Sequence, residues 1–166
     1  KDGWMIVGDN NQALEHITEG EPPEGILRIG GATLLDQQVG SPLLDERSLR
    51  ITRLLEASIS EHELEGVTGV DMTEKTRISL TLNGRLQVLL GNDTAIPAQI
   101  TMLVDTLPVF YQNNGVNAGG RLDMRTFADD KPDNNKAIYT PPEELKEEKP
   151  ATKKTEKKTD KTKPTE

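Results

Sequence analysis

The sequence predicts an α+β fold: a mostly antiparallel sheet with two main helices packed on it, followed by a disordered tail. Three observations carry the prediction. Apolar residues alternate strictly on both sides of Asn83-Gly84, two stretches after Asp45 and Pro97 repeat apolar residues at helical spacing, and apolar side chains almost vanish beyond Pro142.

The elements follow in order. Trp4 to Val7, the Gly8-Asp9-Asn10-Asn11 cluster and Ala13 to Ile17 read as strand, turn and strand, because Gly and Asn tolerate the positive φ of a tight hairpin. Glu19 to Gly25, with Pro22-Pro23, is loop, and Ile26 to Ile29 is a short strand. Asp45 is placed to cap a helix whose stripe is Leu49, Ile51, Leu54, Leu55 and Ile59. That stripe requires a sheet to cover. Val67 to Met72 supplies one strand, and Arg77 to Leu90 a hairpin apolar on one face, turned by Asn83-Gly84 in a two-residue type I′ turn. Pro97 suits the first turn of a second helix, with Ile100, Leu103, Val104, Leu107 and Tyr111 on one side. Pro108 lacks an amide hydrogen, which predicts a kink or stop there. Leu122, Met124 and Thr126 alternate with Asp123, Arg125 and Phe127 as a strand; Lys136 to Thr140 is the last strand, closed by Pro141-Pro142.

Charge separates the two regions, residues 1–142 as a folded domain and 143–166 as tail. Of the chain's 20 bases and 28 acids, eight and seven lie in the tail, which leaves 12 and 21 in Lys1 to Pro142 and a net of −9 there. With Leu145 and Ala151 as its only apolar side chains, the tail cannot offset the roughly 1–2 kcal/mol per residue that ordering a backbone costs. Its interspersed lysines and acids read as a solvated tether. The domain's acidity repels phosphate backbones, so nucleic acid is not an expected partner.

The residues offer little chemistry. Without cysteine there is no disulfide, thiol nucleophile or zinc-thiolate site. His16 and His62 lack metal-ligand spacing, and the series begun by Asp9-Asn10-Asn11 ends with Gly20 where calcium needs a bidentate Glu. Gly30-Gly31 and Gly119-Gly120 have no phosphate-cradle context. Asp71, Asp93, Asp105 and Asp123 could pair as acid and base in a secreted or wall-attached hydrolase fragment, yet the chain has only five aromatics to furnish a cleft for that or for a sugar- or peptide-binding β module. No enzyme, cofactor or metal is expected. A sheet ending in late strands has an edge that can pair with another chain, and Leu122 to Phe127 or Lys136 to Thr140 could form it. Pattern alone leaves open whether that edge is free.

The order of several short motifs adds a family expectation. Trp4 to Glu15 with its Val-Gly-Asp turn, Val39-Gly40 with Leu43 before a helix, Val70-Asp71-Met72, Ile78 to Gly91, a helix from Pro97, Leu122-Asp123-Met124-Arg125 and Tyr139-Thr140-Pro141 together resemble the C-terminal β domain of the bacterial division proteins FtsQ and DivIB. The resemblance implies a non-catalytic divisome subunit whose parent protein is membrane-anchored, the β domain lying on the extracytoplasmic side of the cell membrane, with the anchor and POTRA domain absent from this chain. It implies binding to the coiled-coil proteins FtsB/DivIC and FtsL by strand addition at the last strand, and thereby control of the septal peptidoglycan synthase complex. Carried over by position, the implied partner-binding residues are Arg125, Thr126, Phe127, Lys136, Ala137, Ile138 and Tyr139: Arg125 to pair with an acidic residue, Tyr139 to anchor apolar contact, Lys136 to Ile138 to supply the ladder.

Overall fold

A computed structural model describes residues 3–125 and 136–145. The fold is α+β, with a two-stranded hairpin beside a six-stranded mixed sheet. The elements are β1 (Trp4–Val7), β2 (Ala13–Ile17), β3 (Arg28–Gly30), α1 (Glu46–Glu61), β4 (Val67–Asp71), β5 (Ile78–Leu82), β6 (Leu86–Gly91), α2 (Ile96–Asn114), β7 (Gly120–Asp123), β8 (Ile138–Thr140) and α3 (Pro142–Leu145).

In the large sheet the strands lie in chain order from β3 to β8. A central antiparallel meander, β4-β5-β6, is flanked by two parallel pairs, β3 with β4 across α1 and β6 with β7 across α2; β8 returns antiparallel to β7. Parallel neighbours need a long crossover, and each helix serves as one. The pairings align Ile29, Val70, Leu80, Val88, Leu122 and Tyr139 in a single row across all six strands. Because side chains alternate, that row faces the helices, where Ile51 and Leu55 of α1 meet Ile100, Leu103 and Phe110 of α2 in the main core. The next row, from Gly30 through Asp71, Ser79, Leu89 and Asp123 to Ile138, faces away from the helices.

Local chemistry explains the boundaries. Asp45 caps α1, its carboxylate accepting from the Ser48 N–H at 2.8 Å, while the Ser48 hydroxyl accepts from the Thr33 N–H at 3.0 Å. A second, smaller core of Ala13, Leu43 and Leu44 seats the hairpin against the α1 entry. Asn11 locks that seat: at φ 63°, it is buried, donates to the Leu44 carbonyl at 3.0 Å and accepts from the Leu44 N–H at 2.9 Å.

Several expectations need correction. The strand expected at Ile26 to Ile29 lies at Arg28–Gly30, where β4 offers a partner. Leu82 pairs with Leu86, so the connection has three residues; Asn83 and Gly84 do take the positive φ of a type I′ turn, and the Arg85 N–H closes it on the Leu82 carbonyl at 3.0 Å. Pro108 does not stop α2, which continues six residues to Asn114, because Leu107 and Phe110 are held in the core on either side of it. The strand expected from Leu122 to Phe127 runs from Gly120 to Asp123, whose carboxylate accepts from the Arg125 N–H at 3.0 Å and turns the chain. The last strand starts at Ile138 instead of Lys136. The first residues of the expected tail, from Glu143 on, belong to the helical turn Pro142–Leu145, proline being preorganised for a first turn, and the remainder lies outside the described residues. Among the described residues, no helix is long and apolar enough to cross a membrane.

Candidate partner-binding edge

Hydrogen-bond direction decides which groups of β8 are available. The Met124 N–H donates to the Leu89 carbonyl at 2.9 Å, so the backbone of Met124 is turned toward β6. Alternation sends the groups of Leu122 the same way and those of Arg121 and Asp123 toward β8. Their partners Thr140 and Ile138 therefore exchange hydrogen bonds with β7. Tyr139, opposite Leu122, sits at the non-bonded pair, and its N–H and C=O point outward from the sheet. β7 is thus an internal strand, and among the described residues β8 is the edge.

The edge is short and bounded at one end. Pro141 has no N–H, and its carbonyl accepts from the Glu144 and Leu145 amides of α3 at 3.2 and 3.4 Å. An added strand would pair at Tyr139 and extend toward Ala137, not toward Pro141. Ile138 does not supply the outward ladder as expected, since its backbone serves β7; among the described residues the one whose groups point away from β7 is Tyr139, which that expectation left out of the ladder.

Tyr139 is well fixed for such a role. Its hydroxyl donates to the Gly119 carbonyl at 2.9 Å, and its ring meets Phe110 edge-on at 4.9 Å. An edge-to-face pair contributes about 0.5–1.5 kcal/mol beyond burial, and here it locks the edge strand to α2. On the other face Ile138 is 52% exposed, the kind of side chain a docked strand would cover. Ala137 is half-buried and Lys136 exposed.

Arg125 is arranged differently from expectation. Its Nε and Nη2 both donate to the Asp123 carboxylate, at 2.9 and 2.6 Å. This fork holds the Asp123 carboxyl below the usual carboxylate range and raises the Arg125 guanidinium further, the hydrogen bond being the main cause in each case. Any acidic partner must compete with Asp123 for it. The two lie two residues apart at a strand end, a spacing that the sequence displays and that places both on one face. Phe110, the support for Tyr139, carries no such signal because it comes from another element. Thr126 and Phe127 lie outside the described residues.

Among the described residues no three His, Cys, Asp or Glu side chains group as a metal site. Asp71 and Asp123 occupy one row of the sheet but sit on strands separated by β5 and β6, and Asp123 is engaged by Arg125. Of the other carboxylates considered as acid and base, Asp93 is paired with Arg50. No family model, curated protein or solved structure matches this chain.

Proposed function

We propose that this domain is a non-catalytic scaffold that captures an extended segment of another protein by strand addition at β8. The observation that carries the reading is the outward backbone of Tyr139 on a strand that, among the described residues, is paired along one side only. Phe110 and the Gly119 carbonyl preorganise that strand, which lowers the ordering cost of docking. The motif resemblance to the FtsQ and DivIB β domain gives the partner: the coiled-coil division proteins FtsB/DivIC and FtsL, on the extracytoplasmic side of the cell membrane, in control of septal peptidoglycan synthesis.

The test compares two prolines. Ala137→Pro removes an amide on the outer side of the chain entering β8 and leaves the β7–β8 ladder intact; Ile138→Pro removes an amide directed at β7. Titration against purified FtsB/DivIC–FtsL should show capture weakened about tenfold or more by Ala137→Pro with the urea midpoint unchanged, and a lowered midpoint for Ile138→Pro. Undiminished capture by Ala137→Pro would rule out strand addition at this edge.

A further inference from the structure

Among the described residues β8 is paired along one side, and its outward groups match those of β8 in a second copy of the same chain. Closed pairs of identical subunits meet about a two-fold axis, and one strand repeated about such an axis, drawn through the sheet, runs antiparallel to itself. Outward groups must then face outward groups. In and beside β8 these belong to Tyr139 and, by alternation, to Ala137 before it and Pro141 after it.

Two registers bring these residues together. Centred on Tyr139, the pairing sets Ala137 against the second copy's Pro141, which has no N–H and whose carbonyl already accepts from the Glu144 and Leu145 amides at 3.2 and 3.4 Å. Only the Tyr139 pair is then complete. Centred on Ile138, the pairing sets Ala137 against the second copy's Tyr139 and Tyr139 against the second copy's Ala137, and each of these pairs exchanges both of its hydrogen bonds. Pro141 falls outside them. The register centred on Ile138 therefore takes up the outward groups of both Ala137 and Tyr139.

The side chains agree with that register. Ile138 stands on the axis opposite its own copy, at a non-hydrogen-bonded position, where paired side chains come closest. It is 52% exposed on a single copy, and the contact covers it. On the helix side the small Ala137 lies beside the large Tyr139. Both are half-buried and pack against the main core, so the apolar row of the sheet continues across the seam. Lys136 falls opposite Thr140, with Arg121 one strand further in, and the Asp123 beside Ile138 is engaged by Arg125. No like charges stand directly opposite one another at the seam, although residues 1–142 carry a net of −9.

We propose that two copies of this chain pair through β8 in the register centred on Ile138, so that two six-stranded sheets become one continuous sheet with both helix layers on the same face. The inference rests on the reading of β8 as a strand-capturing edge and adds its regulation. Self-pairing and capture use the same groups of Ala137 and Tyr139, so each excludes the other. A contact of this size is weak and depends on concentration, which keeps the edge open in dilute chain and closes it where copies gather.

Sedimentation velocity of the full chain at rising concentration should show a reversible equilibrium between monomer and dimer. Ile138→Lys sets two like charges face to face on the axis and leaves the β7–β8 ladder intact; it should weaken dimerisation about tenfold or more, with the urea midpoint of the dilute chain unchanged. Ala137→Pro, which removes an outward amide, should do the same. Hydrogen exchange at Ala137 and Tyr139 should slow as the dimer fills, and purified FtsB/DivIC–FtsL should dissociate it. The proposal is overturned if the chain stays monomeric up to about millimolar concentration, if either variant dimerises as well as the native chain, or if FtsB/DivIC–FtsL binds without dissociating the dimer. A monomeric chain whose capture of FtsB/DivIC–FtsL is weakened by Ala137→Pro would overturn self-pairing and leave capture standing; a dimer lost in both variants of a chain that captures neither protein would overturn capture and leave self-pairing standing.

Discussion

Asn11 offers the sharpest test of how the hairpin is held to the body. Its side chain makes both hydrogen bonds to the Leu44 backbone, at 3.0 and 2.9 Å, from a residue only 8% exposed. Asn11→Ala removes both bonds and leaves the Leu44 N–H and C=O buried without partners, a loss of about 1–3 kcal/mol. Alanine must also adopt φ 63°, which adds about 1 kcal/mol. Asn11→Gly loses the same bonds without the backbone strain, since glycine enters the left-handed region freely. Urea unfolding followed by tryptophan fluorescence reports the hairpin directly, because Trp4 lies in β1. Asn11→Ala should cost about 2–4 kcal/mol and Asn11→Gly about 1 kcal/mol less. Equal losses in the two variants would refute the strain contribution, and a loss under about 0.5 kcal/mol in both would refute the role of Asn11 as the clamp.

Other outcomes follow from the same structure. Pro108→Ala restores the amide that α2 lacks, and its gain of up to about 3 kcal/mol, reduced by about 0.4–1 kcal/mol of added unfolded-state freedom, should appear as a higher urea midpoint. Leu80→Ala, at a fully buried position in the middle of the sheet, should cost about 2–5 kcal/mol by the same measurement. The Asp123 carboxyl is depressed in the folded state, so its contribution is complete above the ordinary carboxylate value and is lost as pH falls through the folded value. The midpoint difference between the native chain and Asp123→Asn should therefore be constant near neutrality and vanish on acidification; a difference that grows in acid would reverse the assigned sign. Asp45, lowered chiefly by its hydrogen bond with Ser48, behaves in the same sense, and Asp45→Ala should cost about 0.5–2 kcal/mol through loss of the helix cap.

What the sequence determined by itself was local. The alternation of Ile78, Leu80 and Leu82 with Leu86, Val88 and Leu90, the paired positive-φ residues Asn83 and Gly84, the cap Asp45 and the first-turn Pro97 each act within a few residues, so their signals are complete in the chain. Pro108 was legible as a cost but not as an outcome, because Leu107 and Phe110 oppose it through contacts with other elements. The parallel pairing of β3 with β4 and of β6 with β7 depended on helices returning the chain across the sheet, and a strand's own residues do not encode its neighbour's direction. The same holds for the candidate edge. Lys136 to Tyr139 could be recognised as strand-forming, but which of them presents free hydrogen-bonding groups was fixed by the register of β8 on β7, and a shift of one residue would have exchanged Tyr139 for Ile138. Side-chain alternation is written in the sequence, whereas the partner each backbone group meets exists only once the strands are placed.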